Sequence, residues 1–381
     1  MKNFLITIVA VAAMFAAQAQ GNHVFSGGEA VNFGALDLAT PAIPLSTWST
    51  VRAATPGYFG TAIGATYSSA SDAFNVNGYV KKYGNEAFTF PVGSGTDLRT
   101  LSISAPGTVT DAYAVAWILG NPTTTPDVTN SDALHNTAAV AGSIKRVMPV
   151  GQWDWQAING AGAGLTVTTS MPDLTTFAPK GHLRLVGWDN ATGKWIDLSG
   201  VANATDAIEN STIAGNMVAG IDAISIGSIA LGFPDLTPSS KMANASFTAS
   251  AGTTRDLVVE VNEILGNITD ATSKVIQIRV SKSSSFNYTY NPATTSVNVP
   301  LPTVVQNPLW DLVSNTSTAM TFQLKAGNEI AGLAKSSFSI SLQVNTAAAP
   351  SALNINIGVI SLSGAEVVDT NNQVVRVISI Q

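Results

Sequence analysis

Turn residues punctuate this chain so regularly that they leave no room for long helices. Gly, Pro, Asn or Asp recurs roughly every 8–12 residues, and β-branched and aromatic runs fill the gaps, which is the spacing of sandwiches and barrels. Within the runs, apolar residues alternate with polar ones. Leu257, Val259 and Val261 alternate with Val258, Glu260 and Asn262; Ile276, Ile278 and Val280 alternate with Gln277, Arg279 and Ser281. Phe338, Ile340, Leu342 and Val344 alternate with Ser339, Ser341 and Gln343, and Ile355, Ile357 and Val359 follow the same rule. A period of two places each apolar set on one face of a strand. Only Ala204 to Asn216 offers a short helix, and no self-similarity appears at solenoid or propeller periods. The expected fold is all-β: two β-sandwich domains, the C-terminal one immunoglobulin-like.

One hairpin can be set in register. Leu183–Asp189 and Lys194–Leu198 flank the turn Asn190-Ala191-Thr192-Gly193, with Gly where a left-handed backbone is needed. That loop pairs Asp189 with Lys194, sets Trp188 opposite Trp195 and leaves Gly187 across from Ile196. Two prolines in Pro234-Asp235-Leu236-Thr237-Pro238 mark a connector. The expected organisation is a leader over residues 1–19, a β-rich domain over 20–233, a linker over 234–238 and a sandwich over 239–381.

The leader sets the compartment. Lys2 is a basic start, Phe4 to Ala17 is an almost unbroken apolar run, and Ala17-Gln18-Ala19 is a small-x-small cleavage site that leaves Gln20 as the new N-terminus. That run is short of the ~20 residues that span a bilayer. Ile221 to Phe233, the next most apolar stretch, carries Asp222, Ser225 and Ser228, so no membrane-spanning segment is expected after cleavage. The chain has no Cys, which excludes disulfides, thiolate catalysis and Cys-ligated zinc. Charged residues are 11% of the chain and the net charge is −6. A surface so poor in charge does not draw nucleic acid.

The stretch Asn75-Val-Asn-Gly-Tyr-Val-Lys-Lys-Tyr-Gly-Asn-Glu-Ala-Phe-Thr-Phe-Pro-Val-Gly93 resembles a segment recurrent in large secreted surface proteins of the Bacteroidota. The second unit is similar to a domain at the C-terminal end of such proteins. It opens on Pro234-Asp-Leu-Thr-Pro238 and runs through Thr254-Arg-Asp-Leu-Val-Val259, Ile278-Arg-Val-Ser-Lys282 and Phe286-Asn-Tyr-Thr-Tyr-Asn-Pro292 to a Gly364…Asn371-Asn372 turn. The resemblance implies residence on the cell surface or outside the cell, with a structural or adhesive role. No outer-membrane sorting domain is recognised beyond the second unit.

Chemistry is sparse. His23, His135 and His182 carry no metal-site spacing, and there is no H-E-x-x-H and no G-x-S-x-G. His182, at the start of a strand, reads as a solvated imidazole. Gly160-Ala-Gly162-Ala-Gly164 runs into a strand-like Leu165-Thr-Val-Thr-Thr169 and not into a helix, so it is a loop and not a phosphate cradle. No cofactor is implied, and neither Lys81-Lys82 nor Lys145-Arg146 amounts to a basic groove. Asp235, Asp369 and the turn at Asn371 offer a weak calcium set. Glu260 and Glu263 read as outward strand and loop residues.

Asp154, between Trp153 and Trp155, is the acid placed best for a sugar cleft. The two rings alternate along a strand and so share a face. Exposed, they would make a glycan platform; buried, they would be core.

The expected function is therefore a non-enzymatic, exported structural or adhesive protein that associates with itself through strand edges, or with surface glycans or other surface proteins. Residues Gln20 to Phe33 are candidates for a strand donated to a neighbour. The alternatives are carbohydrate binding through Trp153, Trp155 and Asp154, and glycoside hydrolysis.

Overall fold

A computed structural model describes residues 19–20, 22–40, 47–249, 252–345 and 348–381. The expected leader therefore lies, up to residue 18, outside the described residues, as does most of its cleavage motif. The chain is all-β and divides into two compact units, Met1–Ile229 and Ala230–Gln381.

The first unit begins with parallel coils. His23–Val24, Trp48–Thr50 and Val76–Asn77 stack in parallel, as do Glu29–Asn32, Tyr58–Thr61 and Tyr79–Tyr83, and Ala35–Asp37 stacks on Thr66–Ser68. Each coil supplies apolar residues to a shared interior: Val24, then Trp48 and Phe59, then Val76 and Val80. The sequence shows no repeat at solenoid periods, and the pairing gives the reason. Glu29 lies opposite Tyr58, but Tyr58 lies opposite Tyr79, so the coils differ in length and leave no fixed period to detect. Of the stretch read as a donated strand, His23–Val24 is paired on both sides, by Ala19–Gln20 and Trp48–Thr50, whereas Glu29–Asn32 pairs with Tyr58–Thr61 of the next coil on one side only.

Tyr79–Tyr83 is the junction between the coils and the rest of the unit. It pairs in parallel with Tyr58–Thr61 on one side and antiparallel with Ala112–Leu119 on the other. The sheet then runs on through Gly151–Asn159, Ile221–Ser228 and Leu183–Asp189 to Lys194–Asp197, and with the short strand Arg146–Val147, which pairs with Ile221–Ser228 off this path, it has nine strands in all. The hairpin stands as read, with Trp188 opposite Trp195, Gly187 opposite Ile196 and Gly193 at φ +63°. Against the inner face of this sheet lie Phe88–Phe90, Leu101–Ile103, Thr166–Ser170 and Thr212–Asn216. Thr212–Asn216 is a strand and not the end of a helix, because Thr212, Ala214 and Asn216 pair across to Ser170, Thr168 and Thr166. The segment between Gly120 and Val147 covers the outer face, where Ile144 and Val147 pack on Val186, Trp195 and Ala223.

The second unit is a two-sheet sandwich of the immunoglobulin kind. One sheet runs Leu236–Lys241, Thr254–Glu263, Lys335–Val344, Phe286–Thr289. The other runs Ser246–Phe247, Gln373–Ile380, Ser351–Val359, Gln277–Ser281, Ala319–Leu324, Trp310–Asn315. The alternating sets read from sequence meet between them: Leu257, Val259 and Val261; Phe338, Ile340, Leu342 and Val344; Ile355, Ile357 and Val359. The linker expectation is corrected. Pro238 lies inside the strand Leu236–Lys241, opposite Val261, and that strand is at a sheet edge, where a missing N–H costs nothing. Glu263 is buried and accepts the backbone N–H groups of Asp235, Leu265, Gly266 and Leu333, so it is an internal clamp and not a loop carboxylate. Glu260 is also buried and holds Lys241 and Lys335 at 2.8 and 2.6 Å.

Candidate functional site

The strand Gly151–Asn159 decides the fate of the residues nominated from sequence. Trp153 and Trp155 do share a face, but it is the inner one. Both are buried, Trp153 against Trp117 with ring centroids 4.6 Å apart and Trp155 stacked on Tyr113 at 5.0 Å. The Trp153 indole N–H donates to the Arg99 carbonyl at 2.8 Å. The glycan platform is thereby overturned: these rings are core, because a strand between two packed layers turns every other side chain inward.

Asp154 points the other way and is buried too, beneath the covering segment. Its Oδ2 accepts from the Tyr79 hydroxyl, from Thr129 Oγ1 at 2.9 Å and from Gln156 Nε2 at 3.1 Å. Asp127, from the covering segment and wholly buried, accepts from Thr129 N–H at 3.1 Å and lies 2.8 Å from Thr129 Oγ1, so the two carboxyl groups share that hydroxyl's one proton. Burial, with Asp127 alongside, pushes the Asp154 carboxyl up to about 7 against the pull of its hydrogen bonds. Burial raises the Tyr79 phenol as well, and the two carboxylates add to it.

The network continues along the strand. His135 Nδ1 is 2.9 Å from Gln152 Oε1, and its Nε2 faces Asp222 Oδ1 at 3.8 Å. Burial raises the Asp222 carboxyl, with His135 opposing. Asn130 Nδ2 bonds the other Asp222 oxygen at 2.5 Å. These groups pin the covering segment to the sheet. Neither Asp154 nor Asp127 is open to a substrate, so the acid nominated for glycoside hydrolysis holds the fold together. His182 is likewise buried and not solvated.

A cleft of about 390 Å³ lies beside this network, lined among others by Arg52, Asn77, Tyr79, Ser94, Trp117 and Thr125. Arg52 donates to the Trp117 carbonyl at 2.6 Å, and burial lowers its pKa while Tyr79, Asp154 and Asp127 oppose that. Arg52, Tyr79, Asp127, His135 and Asp222 were not found from sequence. They come from well-separated strands and loops, and no spacing links them. In the second unit Asn371 Nδ2 bonds Asp235 at 2.9 Å and Ser361 bonds Asp369 at 2.9 Å. Among the described residues no three His, Cys, Asp or Glu side chains converge as a metal site. No helix among them is long and apolar enough to cross a membrane.

The remaining candidate is a backbone surface. The nine-stranded sheet ends at Lys194–Asp197 on one side and at Glu29–Asn32 on the other. The first end is closed, since Trp195 N–H donates to the Ala139 carbonyl at 2.8 Å and Ala141 N–H to the Trp195 carbonyl at 3.0 Å. Among the described residues, Glu29–Asn32 pairs with Tyr58–Thr61 alone.

No protein-family model matches the chain, and neither does any curated protein. Among solved structures, it is similar to the full-length major pilin SpaD of Corynebacterium diphtheriae, with 11% identity over 58% of this chain and 62% of that one, at a TM-score of 0.25. It is similar also to the C-terminal domain of the Streptococcus pyogenes antigen I/II-family protein AspA, with 8% identity over 59% of this chain and 95% of that one, at a TM-score of 0.22. At those scores neither likeness bears on function.

Proposed function

We propose that this chain is an exported, non-enzymatic structural or adhesive protein of the bacterial cell surface or extracellular space, working through strand edges and self-association. The observation that carries the reading is the pairing of Glu29–Asn32 on one side only, in a sheet whose other end is closed by Ala139–Ala141. An unpaired strand edge offers a row of backbone donors and acceptors to another chain. The burial of Asp127 and Asp154 supports a role without a reaction centre. The leader-like start and the resemblance of residues 75–93 and 234–381 to secreted Bacteroidota surface proteins support export. The test is light scattering with negative-stain microscopy on residues 20–381 across a concentration series. Oligomers, filaments or ordered sheets are expected; a monomer at every concentration refutes self-association.

A further inference from the structure

We infer that the second unit binds a calcium ion where the strand Leu236–Lys241 begins beside the turn that precedes Gln373–Ile380, on the side chains of Asp235, Glu366, Asn371 and Asn372. This is independent of the self-association reading.

Two buried carboxylates meet here without a basic partner. Asp235 is 6% exposed and Glu366 1%. The second unit's ion pairs engage Glu260 and Asp311, and among the described residues no Lys, Arg or His pairs with Asp235 or Glu366. Neutral donors meet them instead. Asn371 Nδ2 donates to Asp235 Oδ1 at 2.9 Å, Asn372 Nδ2 to Glu366 Oε1 at 2.6 Å and the Leu236 N–H to Glu366 Oε2 at 3.1 Å. Burial pushes the Glu366 carboxyl up to about 7, against the pull of the bonds from Asn372 and Leu236, and the charges of Asp235 and Asp369 add to the rise. Negative charge is costly in such a place unless a cation offsets it.

The amide oxygens make a second, independent observation. Asn372 is 3% exposed, and its Oδ1 and that of Asn371 are buried and accept no hydrogen bond. Each oxygen sits on the same carbon as the nitrogen that touches a carboxylate, so both lie beside the acids. A water could donate to these oxygens but would leave the carboxylates uncompensated. One cation serves both needs. Two carboxylates fall short of a metal site by themselves; the two amide oxygens extend the set, and water brings it to the ~6–8 oxygens that calcium takes. With no nitrogen or sulfur ligand the set does not suit zinc, and its irregular mixture suits calcium better than magnesium, which demands near-ideal octahedral geometry.

The place gives the ion a task. Leu236–Lys241 belongs to one sheet of the sandwich and Gln373–Ile380 to the other, and Thr237 Oγ1 donates to the Asn371 carbonyl at 3.1 Å between them. A cation held from both sides ties the two sheets together in a chain that has no Cys to do so.

The test is calorimetric titration of residues 20–381, stripped with a chelator, with calcium chloride and in parallel with magnesium chloride. Calcium is expected to bind in the ~0.1–1 mM range of extracellular calcium modules, and magnesium at least about tenfold more weakly. Glu366→Gln removes a charge at nearly constant shape and is expected to weaken calcium at least about tenfold. Asn372→Asp adds a charge beside Glu366, so it is expected to lower the melting midpoint without calcium and to tighten calcium binding; a purely structural cluster would give the first effect and not the second. Asp311→Asn, at an exposed ion pair elsewhere in the unit, is expected to leave the titration unchanged. A wild-type chain that takes up no calcium to about 10 mM, magnesium bound as tightly as calcium, or a Glu366→Gln chain that binds calcium like the wild type overturns the site. If Glu366→Gln does not fold, Asn372→Asp decides alone, and calcium binding no tighter than in the wild type overturns it. None of these outcomes touches self-association.

Discussion

Asp154 makes the first unit's stability depend on pH in an unusual direction. Its carboxyl has an ordinary value of 3.8 and is pushed up to about 7 in the fold, chiefly by burial. Between those values the unfolded chain gives up its proton while the folded chain keeps it, so the folded state binds more protons and stability falls as pH rises. The stabilisation is fully present below 3.8, declines to about 7 and is gone above. At about 1.4 kcal/mol per pH unit the span is worth on the order of 4 kcal/mol, a large part of the ~5–15 kcal/mol that holds a domain together. Asp222, also raised by burial, acts in the same sense. Glu86 and Asp173, lowered by hydrogen bonds, act in the opposite sense, but both are fully exposed and count for little. The assay is denaturant unfolding from pH 4 to pH 8, read by tryptophan fluorescence. Trp117, Trp153, Trp155 and Trp195 are all buried in the first unit and report its melting. Asp154→Asn keeps an oxygen for the Tyr79 hydroxyl but has no proton to lose. It is expected to flatten the profile and to match or exceed wild-type stability at pH 8. A wild-type profile that rises from pH 4 to pH 7, or a slope that Asp154→Asn leaves intact, would refute the reasoning.

Trp153→Ala removes a buried indole, its contact with Trp117 and its bond to the Arg99 carbonyl, and should cost about 3–5 kcal/mol in denaturant unfolding of the first unit. Its effect is expected on stability alone, with wild-type fluorescence unchanged by added polysaccharides. Glu263→Ala strips four backbone N–H groups of their shared acceptor. Leu265, Gly266 and Leu333 lie at the surface, where water can replace the carboxylate, but Asp235 is buried; at about 1–3 kcal/mol for that one buried N–H left unpaired, the second unit should melt earlier, as followed through buried Trp310. Gly60→Ala places a methyl 2.4 Å from a Glu29 carboxylate oxygen, the far end of a flexible side chain that can swing aside, so it should cost under about 1 kcal/mol of first-unit stability in denaturant unfolding. A loss of several kcal/mol would show that the Glu29 carboxylate cannot move.

By itself the sequence determined what repeats locally. Alternation along Phe338–Val344 and Ile355–Val359 says which side chains face in, because a strand's geometry allows two faces only. The turn Asn190-Ala191-Thr192-Gly193 fixes a hairpin, because a short loop admits few registers. Alternation could put Trp153 and Trp155 on one face but could not say whether that face was covered; packing by the second sheet decided it. The coils escaped detection because connections of unequal length can bring strands into the same stack, and only pairing in space shows it. Pro238 suggested a linker, yet a proline also fits a strand that has one neighbour, a fact that belongs to the sheet and not to the residue. Tyr79, Asp127, Asp154 and Asp222 act together only because the fold carries them from four distant segments to one dry place, where burial raises the cost of charge.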